Sequence, residues 1–215
     1  EKPVAICRLK RVAADQRDDV TPLLPKVPQL KNGKRIACVG AGCASLTVAN
    51  DLLPLGYEIT MFEQWGQAGG LMRTNIPSFR LPAQVLNEEI AMIVDRGVDL
   101  QLGARIESMQ KLLSDGGFDA VFVGTGAPKG KELDLPGRKE GTANIHVGID
   151  WLESLAFGHV DSIGKRVLII GVGNTAMDCC RSSLRLGAAD VKVMARKPRQ
   201  YFKASAWELE DAEEE

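Results

Sequence analysis

The sequence predicts an α/β fold with parallel β-strands. Short apolar runs alternate with longer stretches of helical periodicity, which is the pattern of strands buried between helices. The segment KRIACVGAGCASL, residues 34–46, has a close counterpart in KRVLIIGVGNTAM, residues 165–177. One strand–glycine–helix unit therefore occurs twice, and we expect one α/β domain followed by the start of a second.

The first part of the chain, residues 1–32, is expected to lie outside these domains. Residues 3–15 place Ile6, Leu9 and Ala13 near helical spacing and predict a helix. Residues 21–33 contain three prolines, which exclude a regular helix and favour an extended linker. We expect the first domain to span 33–160 and the second to span 161–215.

The elements of the first domain follow from its apolar pattern. Residues 35–40 form a continuous apolar run, as expected for a strand covered on both faces of a parallel sheet. Residues 43–56 predict a helix that Pro54 disturbs and Gly56 ends. The other predicted elements are strands over 57–63, 98–103 and 119–126, and helices over 81–97 and 145–159.

The second unit repeats this order but is shorter. It predicts a strand over 166–171, a helix over 174–187, a strand over 191–196 and an acidic helix over 206–215. A doubly wound domain needs more than two strands to bury its core. We therefore expect this sequence to belong to a longer protein, or to have its partner surface elsewhere.

Composition excludes several classes of function. The 215 residues carry a net charge of −1, with 45% hydrophobic and 26% charged residues, which is typical of a globular protein that does not bind nucleic acid. No apolar run is long enough to span a bilayer, and the N-terminus lacks the pattern of a secretory signal. We expect a cytoplasmic protein without a membrane partner. The five cysteines include no C-x-x-C pair, and the two histidines are too far apart in sequence to suggest a metal site.

The first glycine motif has the spacing of a dinucleotide-binding turn. Gly40 permits a tight turn, Gly42 lets the backbone approach a pyrophosphate, and Ser45 is small enough for close helix–strand packing. Glu63 ends the second strand, where a carboxylate accepts hydrogen bonds from ribose hydroxyls and repels a 2′-phosphate. The glycine pair 69–70 lets another backbone segment come close. These residues predict a Rossmann-like site for a dinucleotide other than NADP.

The second motif differs at the end of its second strand. Gly171, Gly173 and Ala176 have the same spacing and allow the same close approach of the backbone to a pyrophosphate. No acid, however, follows the second strand of this unit, predicted over 191–196. Cations at this point pair with a 2′-phosphate, so the second site is expected to prefer NADP to NAD. The alternative is a solvated basic loop. The cations are Arg196, Lys197, Arg199 and Lys203.

The whole assembly resembles the FAD domain of flavoproteins that bind two dinucleotides. More narrowly, it resembles the glutamate synthase small subunit family, which includes the NADPH-oxidising part of dihydropyrimidine dehydrogenase and related NADPH:ferredoxin oxidoreductases. The shared motifs are VGAG, FEQ followed by GGLM, IPSFRLP (76–82), FDAVFVGTGA (118–127), LDLPG (133–137) and GVGNTAMDC (171–179). In that family, the segment corresponding to the N-terminal 3–15 links a cysteine-rich iron–sulfur domain to the flavin domain.

The resemblance implies two sets of cofactor contacts and no catalytic side chain. Two departures stand out, since Cys43 replaces a usual proline and Ser45 a usual glycine, but both are small enough for FAD to fit. The residues implied for FAD are Gly40, Gly42, Ser45, Glu63, Gln64, Gly70, Leu71, Arg80, Gly124, Thr125 and Gly126. Those implied for NADPH are Gly171, Gly173, Asn174, Thr175, Asp178, Arg196, Lys197 and Lys203.

The function expected from the resemblance is that of a flavoprotein oxidoreductase. NADPH gives a hydride to FAD, a step that needs no protein acid or base. Electrons then pass to iron–sulfur clusters on a missing domain or partner subunit, and on to a larger catalytic subunit. Two alternatives remain open: a flavin-dependent disulfide reductase, which would need the absent C-x-x-C, and a non-catalytic nucleotide-binding fragment.

Overall fold

The first sheet has its central strand where the first glycine motif begins. In the computed structural model, which describes residues 4–215, four parallel strands form one sheet in the order Val98–Leu102, Glu58–Glu63, Arg35–Val39 and Ala120–Val123. Because Val39 pairs with both Phe62 and Val123, three strands end at one edge of the sheet. The strands are β1 Arg35–Val39, β2 Glu58–Glu63, β3 Val98–Leu102 and β4 Ala120–Val123. The predicted α/β fold with parallel strands is confirmed.

Helices cover both faces of this sheet. α2, Cys43–Leu52, and α4, Ala83–Val94, pack on one face over a core that includes Cys38, Leu53 and Met61. α5, Met109–Asp115, packs on the other face. A 3-10 turn over Leu53–Leu55 follows α2 and ends at Gly56 with a φ of 85°, which confirms the predicted effect of Pro54 and Gly56.

The N-terminal segment lies against the first unit. α1 spans Ile6–Asp15, which confirms the predicted helix over residues 6–15. Residues 4 and 5 are not helical, and residue 3 lies outside the described residues. The proline-rich stretch contains one 3-10 turn, Thr21–Leu23, and Arg96 Nη2 donates to Pro25 O at 2.8 Å. Apart from that turn, the stretch forms no helix or strand, and it is hydrogen bonded to the turn that follows α4.

The second unit has two parallel strands, β5 Arg166–Ile170 and β6 Asp190–Met194. One face of this sheet packs through Ile169 on Trp151, Leu152 and Cys179. The other face leaves Leu168, Ile170 and Met194 exposed. The helices of this unit are α7 Asn174–Arg185 and α8 Ala206–Glu214. α6 Gly148–Ala156 precedes the boundary predicted after residue 160, yet it packs on α7. Side chains from residues 4–215 therefore cover only one face of the second sheet.

Two helices have no counterpart among the predicted elements. α3, Leu71–Thr74, is a single turn that starts at the glycine pair, and it is too short to show helical periodicity. α5 begins after Ser108, whose hydroxyl accepts a hydrogen bond from the Lys111 N–H at 3.2 Å, a normal N-cap. Across residues 4–215, no helix is both long enough and apolar enough to cross a membrane.

Candidate cofactor sites

The first glycine loop is shaped by contact with the loop that follows β4. Gly40 has a φ of 93°, and a Cβ added there would lie 2.6 Å from the carbonyl oxygen of Gly124. Its N–H donates to Phe62 O at 2.7 Å, and the Gly124 N–H donates to Val39 O at 2.9 Å. Only glycine meets both the backbone angle and the space at this position. Thr125 and Gly126 follow on the exposed side of the same edge.

The glycine pair predicted from sequence lies directly on the first loop. A Cβ on Gly70, whose φ is 51°, would lie 2.8 Å from the Cα of Gly42. The Gly69 N–H donates to Ala41 O at 2.9 Å. Leu71, at the start of α3, is exposed beside this contact. The two glycine segments are therefore adjacent, so that a dinucleotide over one would also lie over the other.

Ser45 contributes to this arrangement by packing. It is fully buried, and a Cβ on Gly124 would lie 2.2 Å from its Oγ, which has no hydrogen-bond partner among the described residues. Ser45 therefore holds α2 close to the loop after β4, as the third position of the motif requires. Its predicted contact with FAD stays a prediction.

The N-terminus of α2 is open to an anion. Among residues 4–215, the N–H groups of Gly42, Cys43 and Ala44 have no hydrogen-bond acceptor. Unpaired N–H groups at the start of a helix, together with the helix dipole, favour a phosphate group. Cys43 is exposed at this position. The first loop can thus receive the pyrophosphate of a dinucleotide.

Glu63 connects the end of β2 to the glycine loop. Its Oε2 accepts from the Ala41 N–H at 2.9 Å, and its Oε1 accepts from the Trp65 N–H at 3.0 Å. The side chain is buried, and each oxygen retains capacity for a second hydrogen bond. The carboxylate is therefore fixed in place and still able to accept from ribose hydroxyls. Gln64 follows it and is exposed.

The second glycine loop is partly closed by the segment before α8. Gly171 has a φ of 134°, and its N–H donates to Met194 O at 3.0 Å. Val172 O accepts from the Lys203 N–H at 3.0 Å, and Asn174 Oδ1 accepts from the Ser205 N–H at 2.9 Å. Asn174 thus holds a neighbouring loop in place. Of the described residues, none accepts from the N–H groups at 173–175 at the start of α7.

The cations after β6 do not all remain available. Arg199 pairs with Glu213 on the surface, with Nη2 and Oε2 2.9 Å apart. Lys197 Nζ lies 5.4 Å from the centre of the Tyr201 ring. Within residues 4–215, Arg196, Lys197 and Lys203 form no ion pair and are exposed. Three of the four predicted cations are therefore free to meet a phosphate.

Comparison with known proteins agrees with these two loops. The model of the pyridine nucleotide-disulphide oxidoreductase family matches residues 34–215. The chain belongs to this family. The β subunit of the NADP(+)-dependent formate dehydrogenase of Moorella thermoacetica is 36% identical over 218 residues, covering 100% of this chain and 31% of that protein. The glutamate synthase [NADPH] small chain of Azospirillum brasilense is 31% identical over 228 residues, covering 99% of this chain and 46% of that protein.

Solved structures show the same fold. FprA of Mycobacterium tuberculosis in complex with NADPH superimposes with a TM-score of 0.70 at 20% identity, over 84% of this chain and 47% of FprA. Thioredoxin reductase of Lactococcus lactis gives 0.60 at 19% identity, over 85% of this chain and 62% of that one. The chain spans about a third to a half of the length of the curated relatives named above.

The cysteines of this pyridine nucleotide-disulphide oxidoreductase family member do not form a redox pair. All five are free thiols. Burial raises the pKa of Cys38 to about 11 and that of Cys179 to about 12, which keeps both protonated at neutral pH. Burial also raises the pKa of Cys180. A thiol must ionise to attack a disulfide, so these three are unsuited to disulfide chemistry.

One ion pair joins residues that the resemblance assigned to different cofactors. Arg80 Nη1 donates to both carboxylate oxygens of Asp178 at 2.8 Å, and its Nη2 lies 2.7 Å from Glu208 Oε1. Burial raises the pKa of Asp178, and the neighbouring Arg80 opposes that shift. Arg80 therefore links the first unit to α7 and α8. Its contact with FAD, and that of Asp178 with the nicotinamide, stay predictions.

The contact between the units extends beyond this pair. The Phe79 ring centre lies 4.7 Å from the guanidinium carbon of Arg181 and 3.9 Å from that of Arg185. Arg181 Nη1 lies 3.2 Å from Glu208 Oε2. No local pattern in the sequence indicates this role of Glu208, because an acidic helix usually faces solvent. The segment 76–82 is thus a structural connection as well as a family motif.

Two open cavities lie away from the glycine loops. One of about 410 Å³ is enclosed only by the surface loop 132–140. Another of about 390 Å³ lies between α4, the end of β3 and residues 66–68. Neither includes a glycine of the two motifs. Both glycine loops lie at the carboxyl ends of their strands, outside these two cavities.

Proposed function

We propose that this chain is the nucleotide-binding part of a flavoprotein oxidoreductase in which NADPH reduces FAD. The observation that carries the proposal is the contrast between the two glycine loops. The first ends in the fixed carboxylate of Glu63, whereas the second is followed by the unpaired cations Arg196, Lys197 and Lys203. A carboxylate suits ribose hydroxyls and cations suit a 2′-phosphate, so the two loops fit different dinucleotides.

The residues of the first loop fit FAD on grounds internal to the structure. The unpaired N–H groups at the start of α2 would hold the pyrophosphate, and Glu63 would accept from the ribose. A side chain at Gly40 or Gly70 would collide with neighbouring backbone. Glycine at both positions therefore lets the loops pack together and leaves room for a pyrophosphate to approach their backbone. Gln64, Leu71, Arg80 and residues 124–126 are the further proposed contacts.

The residues of the second loop would hold NADPH. Gly171 and Gly173 permit the close turn, and the start of α7 offers unpaired N–H groups to the pyrophosphate. Asn174, Thr175 and Asp178 are proposed contacts on the phosphate or nicotinamide side. Arg196, Lys197 and Lys203 would bind the 2′-phosphate, the arginine through paired donors.

When bound, the two cofactors supply the hydride chemistry themselves. The protein's contribution is to orient them and to fix the distance between its two units, which the Arg80–Asp178 pair helps to set. Iron–sulfur clusters on another domain or subunit, and a larger catalytic subunit, are the proposed electron acceptors, since the named relatives are subunits of oxidoreductases. A cytoplasmic location is proposed from the sequence alone.

The direct test is an absorption spectrum of the purified protein, recorded without oxygen before and after adding NADPH. Flavin bands that bleach with NADPH, and more slowly with NADH, would support both sites together. A protein that stays colourless with added FAD would contradict the proposal and favour a non-catalytic role. Reduction of a disulfide substrate by the same sample would favour the disulfide reductase alternative.

The second site has a sharper test. Replacing Arg196 and Lys197 together by alanine is expected to raise the KM for NADPH at least about tenfold, because each lost charge-assisted contact is worth roughly 1.5–3 kcal/mol. The KM for NADH should change little. Lys192→Ala is the matched control, since Lys192 is exposed on β6, the strand that precedes Arg196 and Lys197, and pairs with Asp190 at 3.0 Å. Equal changes for both nucleotides would rule out recognition of the 2′-phosphate.

A further inference from the structure

α6 contacts both units of the chain. At its start, Asn75 Nδ2 donates to Ile149 O at 2.7 Å, and both residues are partly buried. Among residues 4–215, this is the only hydrogen bond between α6 and the chain before residue 131. Just past the end of α6, the Phe157 ring centre lies 5.3 Å from that of Trp65, which follows β2. Between these two points α6 packs on α7 and β5, so it joins the units along its length.

The start of α6 also lies close to the helix that follows the second glycine loop. A Cβ added to Gly148 would lie 3.1 Å from Cys179 Sγ and 3.9 Å from Thr175 Cγ2. Thr175 is in the first turn of α7, two residues after Gly173. Because Gly148 has no side chain, α6 can approach α7 this closely. Asn75 thus holds the residue next to the point where α6 meets α7.

On its other side, Asn75 is connected to the first glycine loop. Its N–H donates to Leu71 O at 3.0 Å, and its Oδ1 accepts from the Thr74 hydroxyl at 2.6 Å. Thr74 is buried, and its N–H donates to Gly70 O at 3.1 Å. Gly70 in turn lies on Gly42. A continuous series of close contacts therefore runs from one glycine loop to the other through Asn75.

We propose that Asn75 is a positioning residue for hydride transfer from NADPH to FAD, and that it acts by holding α6 between the two glycine loops. The proposal rests on the function proposed above. Hydride transfer requires the two reacting rings to be closely aligned, and a misplacement of about 1 Å can lower a rate about 100-fold. Asn75 is outside both glycine motifs, so its loss should change the relative placement of the cofactors and leave their binding intact.

Asn75→Asp keeps the size of the side chain but removes the donor. At neutral pH the introduced carboxylate cannot donate to Ile149 O, so the start of α6 loses its hydrogen bond to the first unit. Asn32→Asp is the matched control. Asn32 Nδ2 donates to Leu55 O at 3.1 Å, but both residues lie near the amino ends of β1 and β2, away from the glycine loops.

The first measurement is the limiting rate at which NADPH bleaches the flavin bands of the purified holoenzyme, followed by stopped-flow absorbance without oxygen. Asn75→Asp is expected to lower this rate at least about tenfold. Calorimetry should give Kd values for FAD and NADP+ within about twofold of those of the unmodified protein. Asn75→Ala should behave in the same way because it also lacks the donor, whereas Asn32→Asp should change the rate by less than about twofold.

The second measurement does not depend on the cofactors. Hydrogen–deuterium exchange of the apoprotein reports the opening of α6 through peptides that cover residues 147–157. Exchange there should be roughly 2- to 12-fold faster in Asn75→Asp, the factor expected for one lost hydrogen bond between neutral groups. Asn32→Asp should leave the exchange of these peptides unchanged.

The outcomes separate this inference from the function on which it rests. If NADPH reduces Asn75→Asp as fast as the unmodified protein, the positioning role is wrong and the proposed function stands. A weaker Kd for FAD or NADP+ at an unchanged limiting rate would make Asn75 a binding contact and would also overturn the proposal. A slower rate with unchanged exchange in α6 would exclude α6 as the element through which Asn75 acts.

Two further results have a defined meaning. An unmodified holoenzyme whose flavin NADPH does not reduce would overturn both the positioning role and the proposed function. Thermal unfolding of the apoproteins shows whether Asn75→Asp is folded. If it is not, the same two measurements on Asn75→Ala decide, because that variant lacks the donor without adding a charge.

Discussion

Replacing Arg80 by methionine is expected to destabilise the protein strongly, even without any cofactor. Methionine keeps most of the apolar stem but removes the guanidinium that faces Asp178 at 2.8 Å and Glu208 at 2.7 Å. Those carboxylates belong to side chains that are only 5% and 4% exposed. Breaking a buried ion pair from one side typically costs about 3–5 kcal/mol, because the remaining charge stays buried.

The lower part of that range applies here for two reasons. Arg80 itself is about a quarter exposed, at 26%, so water already screens part of the pair. Glu208 also keeps a second cation, Arg181, at 3.2 Å. We therefore expect Arg80→Met to lower the free energy of unfolding by about 3 kcal/mol. Asp178 accounts for most of this loss, since its described ion pair is with Arg80.

A double-mutant cycle separates this pairing from general damage. Asp178→Asn removes the buried charge, so combining it with Arg80→Met should cost about 2 kcal/mol less than the sum of the single changes. Urea unfolding of the apoproteins, followed by circular dichroism and by tryptophan fluorescence, measures each value. Arg17→Met is the control, because Arg17 pairs with Glu89 on the surface and should cost less than about 1 kcal/mol.

Two results would refute the reasoning. One is that Arg80→Met unfolds at the same urea concentration as the Arg17→Met control, which would mean that water already solvates the Asp178 carboxylate. Strict additivity of the two changes would mean that Arg80 and Asp178 do not interact energetically. Either result would remove the Arg80–Asp178 pair as the element that fixes one unit against the other.

Three further predictions concern the same residues and the first loop. Burial raises the pKa of Asp178 above its ordinary value of 3.8, so the free energy of unfolding that this group contributes falls as pH rises from 3.8 to the folded pKa. Without Arg80 the folded pKa rises further. In urea unfolding, the loss of stability caused by Arg80→Met should therefore be smaller at about pH 5 than at about pH 8. Gly40→Ala should lower the free energy of unfolding by at least about 2 kcal/mol. Gly66→Ala is the control: its new Cβ meets no atom within 4 Å, so it should change this free energy by less than about 0.5 kcal/mol. Similar shifts in melting temperature for both variants would contradict the close contact between Gly40 and the Gly124 carbonyl. Glu63→Gln should raise the Kd for FAD, measured by calorimetry, at least about tenfold. The single amide oxygen cannot accept from the Ala41 N–H, the Trp65 N–H and a ribose hydroxyl together. An unchanged Kd would show that Glu63 does not contact FAD.

The chemistry of the two loops could be predicted from sequence because it depends on residues close together in the chain. The turn at Gly40, the carboxylate that ends β2 and the cations after β6 each follow from local spacing and residue type. The parallel strands were also predictable, since apolar runs report burial directly. α3 and α5 were not predictable in this way, because a helix of one or two turns has too few residues to show a period.

Only the tertiary structure decided which distant residues meet. Gly70 lies on Gly42, Glu63 binds two backbone N–H groups, and Arg80 reaches Asp178 and Glu208 across the two units. Arg199 is equivalent to its basic neighbours in the sequence, but in the folded chain it pairs with Glu213. Sequence spacing along one element indicates which face a residue occupies, but it carries no information about which other element that face will meet. Long-range charge pairing and close backbone approach therefore emerge only when the chain is folded.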